Sequence, residues 1–327
     1  MLQVTNTTRF LPLFSVIPDE AGTDTLFVVV KGTFPLGPAP AAPQPVPPCA
    51  ADVYWGEPGR SSLKYASDVH VGKRGTDVIL VGSAHAPGGR PVTEMLVAVS
   101  VAERRKVVRV FGDRSWRAVT GAPSRPEPFQ TMPLIYERAF GGTHEPADGR
   151  GAVLAEERNP VGVGFRDRKV PNIEDPMKPL ARQGDRPPPA GFGCIAPSWL
   201  PRRNFAGTYD DTWKNDRAPY LPRDFDRRFC NAAHPDLAFD RFLEGGEPLQ
   251  INGASPAGLL EGRLPAERPR VAVVIAGKRE RPPAVLETLL LEPDEGRLCL
   301  TWRATLPCDK KALKIQTITI EDAKDGG

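Results

Sequence analysis

Leu26–Phe34 reads LFVVVKGTF, and this stretch decides the fold. Branched and aromatic side chains fill it, which favours a pleated strand over a helix, and Pro35 ends it by withholding a ladder donor. Downstream, Pro35–Pro48 (PLGPAPAAPQPVPP) is expected to be an extended surface connection. Further strands are expected at Thr76–Ser83 (TDVILVGS), Thr93–Val101 (TEMLVAVSV) and Lys106–Phe111 (KVVRVF), separated by turns such as Ala86–Gly89. The apolar spacing in TEMLVAVSV is close to two, the period of a strand.

The far end of the chain has the same texture. Ala257–Leu264, Arg270–Ile275, Val285–Leu291, Arg297–Thr305 and Ala312–Ile320 all read as strands. EPDEG, between Leu291 and Arg297, supplies a hairpin turn, and KIQTITI alternates as a half-buried strand should. Successive strands on short turns predict a mainly β protein: an antiparallel sandwich or barrel-like body with a large loop-rich central insertion. The boundaries expected are an N-terminal β region over 1–120, the insertion over 121–246, and a C-terminal β region over 247–327 packed with the first into one body. Within the insertion one short helix is expected over Asp224–Ala233.

Composition narrows the function. Of 327 residues, 40% are hydrophobic and 25% charged, as in soluble globular proteins. The 37 prolines and 31 glycines leave little room for helix. Lys and Arg number 43 against 40 Asp and Glu, interspersed along the chain, which argues against nucleic acid as the main partner. The cysteines are Cys49, Cys194, Cys230, Cys299 and Cys308; an odd number without a framework suits a reducing compartment. MLQVTNTTRFLPLF lacks the features of a signal peptide. The longest apolar runs, Leu26–Val30 and Val271–Ala276, fall far short of the ~20 residues that cross a bilayer. The expectation is a cytoplasmic protein without membrane insertion.

No catalytic device declares itself. Ser61-Ser62-Leu63-Lys64 matches S-x-x-K, but its flanks read as extended and its companion motifs are missing. His144-Glu145-Pro146-Ala147-Asp148 begins like a zinc-binding helix and is broken by Pro146, which makes it a loop. Cys230 and His234 stand four apart, too few ligands for zinc. Neither a phosphate-binding loop nor a nucleophile elbow is present, and no metal or cofactor is expected. Two of Glu174, Asp175, Asp210, Asp211, Asp224 and Asp226 could pair for glycoside hydrolysis. The favoured reading is that these acids cap turns and pair with Arg138, Arg202, Arg203, Arg217 and Arg223 to brace the long loops. Trp116 and Trp302 end strand-like runs and are read as core. Trp199, Tyr209, Trp213 and Tyr220 either pack the loops or anchor an interface.

The blocks SSLKYASDV (Ser61–Val69), TDV (Thr76–Val78), GDRSW (Gly112–Trp116), PLIYERAFGG (Pro133–Gly142), NPVGVGF (Asn159–Phe165), PNIEDP (Pro171–Pro176), GFGCIAPSW…AGTYDDTW and LPRDFD occur in one order. Taken together they resemble the bacterial family called domain of unknown function 2169, from about residue 20 to about 265. The resemblance implies a cytoplasmic adaptor or chaperone of type VI secretion systems, which helps load a protein effector onto the PAAR or VgrG spike. It supplies no catalytic residues. Some relatives carry pentapeptide repeats after this region; this sequence reaches Gly327 without them. On this reading the residues expected to contact or position a partner are Tyr136, Arg138, Phe140, Trp199, Arg202, Tyr209, Asp210, Trp213 and Arg217. The rivals are a hydrolase of carbohydrate or cell wall that uses the central carboxylates, and a structural component of the secretion apparatus.

Overall fold

The structure is a computed structural model that describes residues 2–38, 43–146 and 151–323. The middle of the proline-rich connection (39–42) and the Ala147-Asp148 end of the HEPAD loop lie outside the described residues. The main strands are β1 (Gln3–Asn6), β2 (Leu11–Pro18), β3 (Asp24–Pro35), β4 (Asp77–Leu80), β5 (Glu94–Val101), β6 (Arg104–Phe111) and β7 (Ile173–Glu174). After the central segment come β8 (Pro248–Asn252), β9 (Leu259–Arg263), β10 (Pro269–Ile275), β11 (Lys278–Glu280), β12 (Ala284–Glu292), β13 (Arg297–Pro307) and β14 (Ile315–Asp322).

They form three open sheets, and the protein is mainly β without a closed barrel among the described residues. The first sheet has the order β2-β3-β13-β12-β4, the second β7-β6-β5-β8-β9 and the third β1-β14-β10-β11. Neighbours run antiparallel except β4 on β12 and β1 on β14. Strands from both ends of the chain thus share the first and third sheets. The hairpin from β12 to β13 turns at Pro293–Glu295, and Gly296 closes it in the left-handed region at φ 60°, where a Cβ would be strained.

LFVVVKGTF lies inside the first sheet, paired on both sides by β2 and β13, which explains its unbroken apolar run. Leu26, Val28, Val30 and Phe34 point into a core shared with Val97, Val99 and Val108 of the second sheet and Val271, Val273 and Ile318 of the third. Phe27, on the opposite face, packs with Val71 and Cys230. Trp302 is core, as expected, whereas Trp116 lies half-buried against a smaller cluster of Phe140, Val170 and Leu180.

That opposite face also buries charge. Arg303 Nε donates to Glu287 Oε2 at 2.6 Å, and its Nη2 donates to the carbonyl of Asp68 at 2.7 Å. Lys73 Nζ reaches Asp77 Oδ2 and Thr288 Oγ1 at 2.7 and 2.8 Å, while its N–H donates to Glu287 Oε1. Asp77 also accepts from Asn231 Nδ2 and the Ala232 N–H, so the network fastens the central segment to the sheet. Each of these charges is compensated, the condition under which burial is tolerable.

The helix expected over Asp224–Ala233 is replaced by a 3-10 turn at Arg227–Cys230. Asn231 leaves that turn in an extended conformation, because its side chain and the next N–H must reach Asp77. The described α-helix of this segment is instead α1, Asp211–Asp216.

Candidate docking cleft

The central segment has little regular structure, so side chains satisfy its backbone. Asn159, fully buried, donates from Nδ2 to the carbonyls of Tyr136 and Phe140 at 2.8 and 3.0 Å. Glu137 accepts from the N–H and hydroxyl of Ser62 at 2.7 and 2.6 Å, joining the PLIYERAFGG and SSLKYASDV blocks. Gly141 admits the close approach this requires: a Cβ there would stand 2.1 Å from the Asn159 carbonyl oxygen. Ser61 and Lys64 show no S-x-x-K geometry. Ser61 Oγ bonds the backbone at Gly56 and Glu57, and Lys64 Nζ lies over the Trp55 ring at 4.5 Å.

The residues singled out by sequence fall into four places. Tyr136 and Trp199 are buried in the main core, edge to face with ring centroids 5.7 Å apart, and Phe140 is buried beside Val170. Burial confines these three to positioning the segment. Arg138 donates to Asn172 Oδ1 at 3.1 Å and borders a polar recess of about 360 Å³ with Asp113, Arg114 and Lys169. Tyr209, Asp210, Trp213 and Arg217 make a surface knob. Asp210 caps α1 by accepting from the Trp213 N–H at 2.8 Å, and Tyr209, 54% exposed, stacks edge-on to Trp213 at 4.7 Å. Arg217 ties the knob to the β2–β3 turn through the carbonyls of Glu20 and Ala21, and donates to that of Leu221.

Arg202 stands apart from the others. It belongs to a cleft of about 340 Å³ whose apolar surface comes from Ile195, Pro201, Phe205, Ala233, Pro235, Ala238 and Phe239. Arg74, Arg104, Arg202 and Arg228 surround it, with Asp240 the one acid among the described residues of the lining. Arg202 braces the wall: Nε donates to the Phe229 carbonyl at 2.6 Å and Nη1 to the Ile195 carbonyl at 2.8 Å. Asp226 takes the Arg228 N–H, Nε and Nη2, which holds that guanidinium 4.1 Å from the Phe205 ring centroid. Arg104 lies over Phe239 at 5.1 Å and donates to the Pro235 carbonyl. Arg74 makes no side-chain hydrogen bond or ion pair among the described residues. The cleft therefore combines an apolar lining with three cations held in place, which suits an apolar, acidic stretch of another protein.

Beside the cleft, His234 is held neutral. Burial lowers its pKa to about 4, aided by Lys106, whose ammonium lies 3.3 Å from Nε2. Asp236, which completes that cluster, accepts from Lys106 Nζ at 2.9 Å.

Of the carboxylates weighed for hydrolysis, all but Asp211 are engaged internally among the described residues. Glu174 pairs with buried Arg114, Asp224 accepts from the Thr208 N–H and hydroxyl, and Asp226 pairs with Arg228. Hydrogen bonds from Thr208 hold Asp224, and those from Arg228 hold Asp226, below the usual carboxylate range. Burial pushes Cys194 up to about 12 and Cys230 up to about 11, so both thiols stay protonated and weakly nucleophilic. Among the described residues, no three His, Cys, Asp or Glu side chains are grouped to hold a metal ion, and no helix is long and apolar enough to cross a membrane.

Sequence reasoning missed Phe205, Phe239, Arg74, Arg104 and Arg228. RRNF and DRRF offered a signal for Phe205 and Arg228, since arginine beside phenylalanine is the composition of interface anchors. Arg74 and Arg104 come from outside the segment, and only the fold brings them to it.

Comparison with curated proteins and with solved structures gave no match. The model of a bacterial family described as "Uncharacterized protein conserved in bacteria (DUF2169)" matches residues 21–303. The match takes in the second sheet and the whole cleft and leaves β1, β2 and β14 outside it, and the chain belongs to that family.

Proposed function

We propose that the chain is a cytoplasmic, non-enzymatic adaptor that grips a protein partner through the arginine-rimmed cleft. The partner is a type VI secretion effector or its PAAR- or VgrG-type spike protein, and the adaptor helps bring the two together. One observation carries this reading: a cleft with an apolar lining whose walls are pre-set by Arg202 and Asp226. Pre-setting the walls reduces the entropy lost on binding, and Arg and aromatic side chains are the usual energetic anchors. Internal engagement of the central carboxylates favours an adaptor over a hydrolase.

Co-purification with the effector encoded beside this chain tests the reading, followed by titration of the purified pair. Arg74→Glu with Phe205→Ala should weaken binding by about 2 kcal/mol or more while the urea midpoint holds. Trp213→Ala with Arg217→Ala asks the same of the knob. Full affinity in a folded Arg74→Glu/Phe205→Ala variant would remove the cleft from the interface.

A further inference from the structure

We propose a second docking site on the third sheet, where the open edge of β10 receives an acidic segment of a protein partner in extended form. The site lies outside the cleft and does not depend on the reading given above. Along its whole length β10 pairs with β14, from Pro269 opposite Asp322 to Ile275 opposite Ile315. On its other side it pairs with β11 over Val273–Ile275 alone. The chain then turns away through Arg281–Pro283 to enter β12 in the first sheet. Residues 269–272 are left as a strand paired on one side, roughly 13 Å of edge at the rise of an extended chain.

That edge borders a recess of about 490 Å³ carrying Arg268, Arg270, Arg279 and Arg281, with Glu321 the one acid among the described residues of its lining. No described side chain forms a hydrogen bond or ion pair with Arg268, Arg279 or Arg281. Proteins commonly guard an open edge with charge, but a guard needs no recess beside it. Here a hollow the size of a ligand pocket adjoins a strand edge paired on one side only, and Arg268, Arg279 and Arg281 face it without a described partner. An added strand would satisfy the edge through its backbone, and alternate acidic side chains would meet the guanidinium forks.

The probe is a fluorescein-labelled peptide of alternating glutamate and valine, titrated by anisotropy against the full chain. Binding is expected, and Arg279→Glu/Arg281→Glu should weaken it at least about tenfold. Both positions are exposed, so an unchanged urea midpoint certifies the variant's fold. Backbone N-methylation of the same peptide should weaken binding comparably, because strand addition needs the peptide's N–H groups. The cleft variant Arg74→Glu should bind the peptide normally, which separates this site from the adaptor cleft. Equal affinity for the N-methylated peptide, or for a single-stranded oligonucleotide of matched charge, would reduce the site to a diffuse basic patch and overturn the proposal. So would the absence of binding, which would leave the arginines as edge guards.

Discussion

The sheets and the central segment solve the same problem by different means. In the sheets, backbone pairs with backbone, and side chains are free to alternate between core and solvent. Between 121 and 246 the strands are short, and Asn159, Arg202 and Arg217 spend their polar groups on carbonyls instead. One consequence is that arginine has two roles there, bracing from within and rimming the cleft. The other is a difference in cooperativity. A sheet distributes its hydrogen bonds over many residues, whereas each loop depends on one or two side chains.

The strongest way to break this contrast is to attack the ionic cluster that joins the two regions. Arg303→Met leaves Glu287 buried beside a missing cation and should destabilise the whole protein by about 3–5 kcal/mol. Pairing it with Glu287→Leu should recover a large part, because the uncompensated charge is then gone. Urea denaturation of the single and double variants gives the answer. If the double variant is no more stable than Arg303→Met, the cost lies in lost packing and not in the uncompensated charge.

Protonation probes the same junction more gently. Burial lowers the pKa of His70, against Arg303, and brings that of His234, beside the cleft, to about 4. Free histidine titrates near 6.5, so below that value the unfolded chain binds protons that the folded one refuses. The stabilisation is complete above about pH 6.5 and is lost as pH falls towards 4. His234 alone should account for on the order of 3 kcal/mol of that loss, and His70 adds to it. Asp224, Asp226 and Asp236, held low in the fold, add their losses only at more acid pH. Urea midpoints between pH 7 and pH 4.5 should decline, and His234→Gln should flatten part of the slope. A midpoint that stayed level over that interval would mean both rings accept protons inside the fold.

Sequence and structure agree where one physical rule dominates. LFVVVKGTF and the β12–β13 hairpin are legible because continuous apolar runs and a PDEG turn admit few alternatives. Gln3–Asn6 is not legible: it is exposed throughout and owes its strand form to parallel pairing with β14. Leu11–Pro18 contains two prolines and survives as a strand because it lies at the sheet edge. In the central segment the residue types were informative and their directions were not. Tyr136, Phe140 and Trp199 have the chemistry of interface anchors, yet they are buried. Nothing in a linear pattern distinguishes an inward tyrosine from the outward Tyr209. The partnership of Lys73 with Glu287 and Thr288 spans more than two hundred positions and is a product of topology.

Within the central segment itself, Arg202→Ala should leave the Ile195 and Phe229 carbonyls without their donor, at a cost of about 2 kcal/mol. The effect should be local: amide hydrogen exchange should accelerate around 195–205 and 227–231, with the β3–β13 amides unchanged. A matching acceleration in those strands would show that loops and sheets unfold together.

The smallest effect tests the contrast at its finest grain. Asp210→Ala removes the carboxylate that accepts the Trp213 N–H at the start of a six-residue helix. A cap of this kind is worth about 1 kcal/mol. The global midpoint should barely move, because α1 is exposed and buries no residue. What should change is the Tyr209–Trp213 stack and the bond from Trp213 Nε1 to the Tyr220 carbonyl, which depend on the helix for their alignment. Tryptophan fluorescence of the variant, and exchange at the Trp213 amide, should report fraying of the knob in a protein otherwise intact. If the amide keeps its full protection, Arg217 and its carbonyl partners alone hold the knob, and a single arginine replaces a helix cap.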